Sequence, residues 1–358
     1  MPADDRPVQL VLRALHLGDL LVAVPALRGL RRARPGHRLV LAAPAALAPL
    51  VALTGAVDDL LPTAGPDALR WDAAPPDVAV NLHGAGPESH RALDATGPRV
   101  RIGYAAPGWP GPEWDGPRED PLGLADLATG DLAAAELDAG HLGDDELGLR
   151  ALVTDPPRPE QHERERWCGM LAAFDVPADP DDLLLAPPPA VTAGTPPTVV
   201  HPGAAYGSKR WPAERFAEVA AALADAGHRV VLTGAAGERE LAAQVAVLAG
   251  LPPTAVLAGR TDLAQLAALV AGAALVVSGD TGIAHLASAF RTPSVVLFGP
   301  VPPQRWGPPA TGPHVVLTGA DRRRGEPFAD DPDPALLAVE VPDVLAAAAS
   351  VVGARAGR

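Results

Sequence analysis

The 358-residue sequence predicts an α/β protein built from two tandem, doubly wound parallel sheets. Three observations carry that prediction. Short apolar runs alternate with longer stretches of helical periodicity, first over residues 8–104 and again over 198–298. A Pro- and Ala-rich stretch without periodicity, residues 179–197, separates the two series. Within the second series, residues 274–299 read as strand, tight polar turn, helix, turn and strand, with Ser278-Gly279-Asp280-Thr281-Gly282 as the turn. A polar turn between a parallel strand and a helix aims backbone N–H groups and the positive end of the helix dipole at one spot, which suits an anion and above all a phosphate.

In chain order, residues 8–15 form a first buried strand and His16-Leu17-Gly18-Asp19 the turn after it. Pro25 interrupts the following helical pattern, so a short first turn followed by a helix starting near Pro25 fits better than one straight helix. Arg28, Arg31, Arg32 and Arg34 crowd its end, where cations suit the dipole. Residues 38–43 read as a strand, 45–54 as a helix, and 59–61, 78–82 and 100–104 as further strands. Residues 105–160 are Pro-, Gly- and then acid-rich and read as a lid or an acceptor-side insertion. Helical residues 160–174 follow. In the second series 198–203 is a strand and turn, 212–226 an amphipathic helix with Phe216, Val219 and Leu223 on one face, and 229–233 a strand. Then come a helix at 238–249, a short strand at 255–257, a helix capped by Thr261 or Asp262, and the 274–299 unit. Residues 341–352 close the pattern as an apolar-faced helix.

Bulk properties exclude several function classes. The formal charge of -14 argues against a nucleic-acid partner, which wants a basic surface. Cys168 is the single cysteine, so neither an intrachain disulfide nor a cysteine zinc cluster is available, and its helical setting suits a packed core thiol better than a nucleophile. The first residues show neither a basic leader nor a long apolar run, and no stretch of eighteen apolar residues occurs, so a cytoplasmic protein is expected, touching a membrane at most from its inner face. Neither G-x-G-x-x-G nor G-x-x-x-x-G-K-[ST] is present, which removes the common dinucleotide and P-loop reasons for owning such sheets.

Three segments, in order, carry a resemblance. They are RALHLGDLLVAVPALRGLRRARPGHRL near the start, HPGAAYGSKRWPAERFAEVAAAL from His201, and LAGRTDLAQLAALVAGAALVVSGDTGIAHLASAFRTPSVVLFGP from Leu257, running on to Trp306-Gly307. On these the chain resembles the lipopolysaccharide heptosyltransferases, glycosyltransferase family 9. The resemblance implies a GT-B architecture: two Rossmann-like domains facing across a cleft, with the last helix returning to the first domain. The domains then run 1–185 (acceptor side, with 105–160 variable), a linker 186–197, 198–335 (donor side) and the returning helix 336–358. It also implies inverting, metal-independent transfer of a heptose or related sugar from a nucleotide-diphospho-sugar, ADP being the family's usual carrier. That donor is a co-substrate; no cofactor and no metal ligands are expected.

Residue by residue, Asp19 reads either as a helix cap or as the general base that takes the acceptor's proton; it aligns with the family's proposed base. Gly18 lets backbone approach closely. Lys209, just before a helix and beside Ser208, reads as a surface lysine or as the cation that stabilises the departing diphosphate, the role the family places there. Arg210 is a weaker alternate. His201 and Gly203 shape the turn after their strand and are counted among the donor-binding residues, with structural use and donor contact equal readings for His201. In the family these positions hold the donor: Asp280 would accept from sugar hydroxyls and Thr281 and the Gly282 amide bind phosphate oxygens, with Ser278 counted among the donor-binding residues. His285 is an even choice between packing and donor contact. Glu238 accepts from the ribose hydroxyls or serves as a first-turn helix carboxylate, with Glu240 competing. The expected partners are thus a nucleotide-sugar donor and a glycan or small-molecule acceptor. Two other readings stay open: another GT-B enzyme such as a sugar-nucleotide epimerase, and a noncatalytic sugar-nucleotide-binding protein.

Overall fold

A computed structural model describes residues 5–84, 86–105, 161–189 and 194–356. The expected 105–160 insertion therefore lies, beyond Ala105, outside the described residues. The chain divides into two compact units, Met1–Leu183 and Leu184–Arg358. The break falls just ahead of the expected linker 186–197, which goes with the second unit.

The first unit carries strands β1 (Val8–Leu12), β2 (Arg38–Ala43), β3 (Asp59–Pro62), β4 (Val78–Asn81) and β5 (Val100–Ile102). They pair in parallel in the order β3-β2-β1-β4-β5. Strand order reverses beside β1, because β2 leaves on one side and β4 on the other. In such sheets the crevice between the carboxyl ends at this reversal is the place where ligands bind. One sheet face packs Leu10, Leu12, Val40, Ala42, Ala79 and Leu93 into a core.

Three local expectations change here. The helix after β1 is one 17-residue helix, Leu17–Ala33, with Pro25 inside it and not at its start. Pro25 denies the Leu21 carbonyl its i+4 donor, yet the helix persists because Leu20, Leu21, Val24, Leu27 and Leu30 are buried along it. Residues 45–54 split into a 3₁₀ turn and a short helix, Ala48–Leu53. A helix at Pro87–Asp94 was not read in advance. Helix Glu163–Ala172 packs against Leu17–Ala33 and completes this unit. It carries Cys168, whose thiol burial pushes up to about 12, with Asp179 adding to the shift; it is the packed core thiol expected.

The second unit carries β6 (Pro197–His201), β7 (Arg229–Leu232), β8 (Leu275–Gly279), β9 (Ser294–Leu297) and β10 (His314–Leu317), all parallel, in the order β10-β9-β8-β6-β7. Strand β10 was missed in the sequence. The strand expected at 255–257 shrinks to a single parallel bridge between Val256 and Leu232. Helix Leu263–Ala271 is capped by Asp262, which accepts from the Gln265 amide at 2.8 Å while Gln265 accepts from the Asp262 amide at 3.0 Å. The tail helix, Val341–Ala356, departs from expectation. Its apolar side, Val344, Ala347, Ala348 and Val351, lies in the second unit's own core with Val219, Leu223, Leu275 and Val295. The helix expected to cover the first domain thus covers the face of the sheet it follows, where each buried valine contributes about 1.5 kcal/mol or more.

Candidate functional site

In the second unit the strand order reverses between β6 and β8, and the sequence-predicted residues gather at the carboxyl ends of those strands. His201 ends β6 and stands in register with Ser278 on β8. Gly279 ends β8, and Thr281 precedes helix Gly282–Ala289 with extended backbone. The run Val276–Gly279 is buried on both sides, so the strand must break at the polar Asp280, whose amide donates to the Leu297 carbonyl at 3.0 Å. This sets the first turn of the helix at the mouth of the reversal, with its N–H groups leading.

Lys209 comes to the same place. The loop after β6 forms a 3₁₀ turn at Gly207–Lys209, and Lys209 Nζ donates to Asp280 Oδ2 at 3.0 Å. Asp280 is 7 % exposed, whereas the Lys209 side chain keeps about a quarter of its surface open at 24 %. The pair points the ammonium across the turn and leaves it two further N–H donors for a ligand. Beside it, Ser278 Oγ and Thr281 Oγ1 are buried and have no hydrogen-bond partner. Buried hydroxyls left unpaired are costly and rare in a finished core, and these two lie on the strand end and the turn that lead into helix Gly282–Ala289.

The remaining predicted residues divide by role. Ser208, expected beside a diphosphate, is fully buried, and its Oγ donates to the Pro327 carbonyl. Its amide donates to Ala329 O at 2.8 Å and its carbonyl accepts from Asp333 N at 3.0 Å. Ser208 therefore fastens the lysine loop to residues 327–333 and does not face a ligand. Gly207 has the same duty: a Cβ there would fall 1.6 Å from the Asp330 carbonyl oxygen. Asp333, itself fully buried, holds that distant segment together by accepting from the amides of Arg324, Gly325 and Ala335.

Glu238 follows β7 and its Oε2 accepts from the Ala235 amide at 2.7 Å. Its carboxylate lies directly over Gly203, where a Cβ would meet Oε1 at 2.0 Å, and 3.9 Å from His201 Nε2. His201 Nδ1 lies 3.0 Å from Thr233 Oγ1. His201, Gly203 and Glu238 thus form one group, while Glu240 is exposed on the next helix. His285 is buried edge-on against Trp306, with ring centroids 5.9 Å apart, which is a packing role.

Asp19 lies in the first unit, at the carboxyl end of β1. It is the third residue of helix Leu17–Ala33, with Gly18 just before it already helical, so it is not the N-cap. His16 N donates to its Oδ2 at 3.3 Å. Its Oδ1 accepts from Arg13 Nη2 at 3.1 Å. Arg13 was not singled out in the sequence. The signal was there: one cation closing an otherwise apolar strand needs a carboxylate, and Asp19 is the next acid along the chain. Burial pulls the Arg13 guanidinium's pKa down, and the charges of Asp19 and Glu163 push it back up. His83, which follows β4, is buried and lowered to about 3, first by desolvation and then by Arg13, so it stands neutral beside the ion pair. Among the described residues no cluster of three or more His, Cys, Asp or Glu side chains could hold a metal. No described helix is long and apolar enough to cross a membrane.

Residues 158–326 match the family model described as Glycosyltransferase family 9 (heptosyltransferase). The match spans just under half of the chain. It contains the whole β6–β8 site, and it bears out the resemblance read from the sequence. The lipopolysaccharide heptosyltransferase 2 of Escherichia coli K12 is 36 % identical over 132 residues, which span 35 % of this chain and 38 % of that protein. The chain thus aligns with well under half the length of this curated relative. The solved family 9 glycosyl transferase of Veillonella parvula shares the fold at a TM-score of 0.71 and 19 % identity, covering 97 % of this chain and 98 % of the other. The dodecameric iron-containing heptosyltransferase TibC of enterotoxigenic E. coli, solved in complex with ADP-D-beta-D-heptose, matches at a TM-score of 0.59 and 15 % identity, covering 99 % of this chain and 79 % of that one. The two-unit, parallel-sheet GT-B class expected from the sequence is therefore the observed one.

Proposed function

We propose that this protein is a glycosyltransferase that moves a heptose or related sugar from an ADP-linked donor to a hydroxyl of a glycan or other acceptor, with inversion and without a metal ion. One observation carries the reading: Lys209 pairs with Asp280 just ahead of a helix N-terminus, at the strand-order reversal within the segment that matches family 9, with the unpartnered hydroxyls of Ser278 and Thr281 on the same strand end and turn. That is a cradle for a diphosphate. The ammonium, the leading helix amides and the two hydroxyls meet phosphate oxygens, and Asp280, which would repel phosphate, accepts from a sugar hydroxyl while holding the lysine. Glu238, beside His201, is suited to accept from the ribose.

In the reaction the acceptor oxygen forms a bond to the anomeric carbon as the bond from that carbon to the diphosphate oxygen breaks. The electron pair leaves with the diphosphate, where Lys209 and the helix amides stabilise the growing charge. The acceptor's proton passes to Asp19 as general base. Heptose is the sugar transferred by the E. coli relative named above, and TibC is solved with ADP-D-beta-D-heptose.

A thermal-shift panel of nucleoside diphosphates, their sugars and NAD, each with and without EDTA, tests the reading. ADP or an ADP-sugar is expected to give the largest shift, unchanged by EDTA. A preference for NAD overturns the assignment, and loss of the shift in EDTA overturns metal independence, a point sharpened by the iron in TibC. Conversion of the donor with no acceptor present would identify an epimerase.

A further inference from the structure

We propose that Arg13 is a positioning residue that locks the Asp19 carboxylate into one orientation, leaving Oδ2 as the oxygen that receives the proton. The inference rests on the reading of Asp19 as general base. Arg13 is 1 % exposed at the end of a strand whose other residues, Gln9 apart, are apolar. Burying a guanidinium costs several kcal/mol unless its geometry is nearly ideal, and an apolar side chain of similar length would pack there without that cost. The geometry explains its presence. Nε donates to the Asp19 carbonyl oxygen at 3.1 Å and Nη2 to Asp19 Oδ1 at 3.1 Å. Nη1 donates to the Leu82 carbonyl just past β4. The Trp167 ring covers the guanidinium, with Cζ 4.9 Å from its centroid. Arg13 therefore grips Asp19 twice, by main chain and by side chain, and is itself held by the neighbouring strand and an aromatic face.

The two carboxylate oxygens are left unequal. Oδ1 is committed to a charge-assisted bond with a buried cation. Oδ2 has one long bond from the His16 amide, and the side chain keeps 14 % of its surface open. A base must present one lone pair along a fixed direction, and small misplacements of a reacting group cost on the order of 10²-fold in rate. Lysine could keep the charge and three donors, but from its single nitrogen it cannot reproduce the planar fork whose separate nitrogens reach the Asp19 carbonyl, the Asp19 carboxylate and the Leu82 carbonyl.

The test compares Arg13→Met, Arg13→Lys, Asp19→Asn and the double variant Arg13→Met/Asp19→Asn in the full chain, by steady-state transfer per folded molecule and by ADP thermal shift. Arg13→Met should lower kcat about 10²-fold with the donor KM within about twofold of wild type, and Arg13→Lys should fall between. The double variant should be no slower than Asp19→Asn, since both changes remove the same function. Wild-type kcat in folded Arg13→Lys and Arg13→Met, or full additivity in the double variant, overturns the inference and leaves Arg13 a structural tie. If Arg13→Met does not fold, Arg13→Lys decides alone: a kcat loss of about tenfold or more at constant KM supports positioning, and an unchanged kcat refutes it. Turnover retained by Asp19→Asn is a separate result. It removes the base assignment itself, and with it the footing of this proposal.

Discussion

The two units answer the same topological problem in opposite ways. Each has a parallel sheet whose strand order reverses, beside β1 in the first and between β6 and β8 in the second. Counting the Val256 bridge beside β7, the second sheet reads from that edge with the same order as the first, a correspondence hidden by the shortness of one strand. Each reversal holds one cation–carboxylate pair. In the first unit the cation, Arg13, is buried and the carboxylate, Asp19, faces outward. In the second the carboxylate, Asp280, is buried and the cation, Lys209, keeps the open surface. The inversion matches the roles proposed above, in which Asp19 takes a proton and Lys209 meets an anion.

The sharpest way to break this comparison is Asp19→Asn. It should reduce transfer by about 10²–10⁴-fold while the ADP thermal shift persists, because the donor cradle belongs to the other unit. Next is Lys209→Met, expected to lower kcat by about 10²-fold and, unlike the first change, to weaken the ADP shift. Equal effects of both variants on ADP binding would dissolve the contrast.

A smaller effect is read from pH. His83 and His314 have folded pKa values lowered to about 3 and about 4, mainly by burial, against an ordinary 6.5. The unfolded chain binds more protons than the folded one between those limits, so stability is complete above pH 6.5 and falls as pH drops below it. His83 alone should cost about 2 kcal/mol at pH 5, seen as a lower urea midpoint than at pH 7.5, and His83→Gln should flatten that slope. The smallest expected change is Ser278→Ala. Removing a buried hydroxyl that has no partner should leave the melting temperature unchanged or raise it, while ADP affinity falls about tenfold. A drop in apo stability would show that the hydroxyl already has a partner.

How much of this was legible in the sequence varies with the physical scale of each feature. The S-G-D-T-G turn was readable because an apolar strand that stops at two capping residues has few other meanings, and Lys209 because its loop opens a helix. Asp19 and Asp280 were visible as residues, but their partners were not. The Lys209–Asp280 pair joins positions far apart in the chain, and it exists because β6 and β8 are neighbours, a fact of strand order that periodicity does not encode. Ser208 was misjudged for a related reason: it was read with Lys209, its neighbour in sequence, while its own hydroxyl donates to Pro327. The tail helix shows apolar residues without naming the surface they cover. β10 was passed over although β4, β7 and β9, equally short, were read.

The attachment of Gly207 and Ser208 to residues 327–333 has a further meaning for protein engineering. The turn that carries the lysine is held by a stretch of chain more than a hundred positions downstream, through main-chain bonds, the Ser208 hydroxyl and a segment that the buried Asp333 carboxylate organises. A chimera that exchanged the carboxyl-terminal region for a relative's would therefore retune the cation without altering a single residue around it.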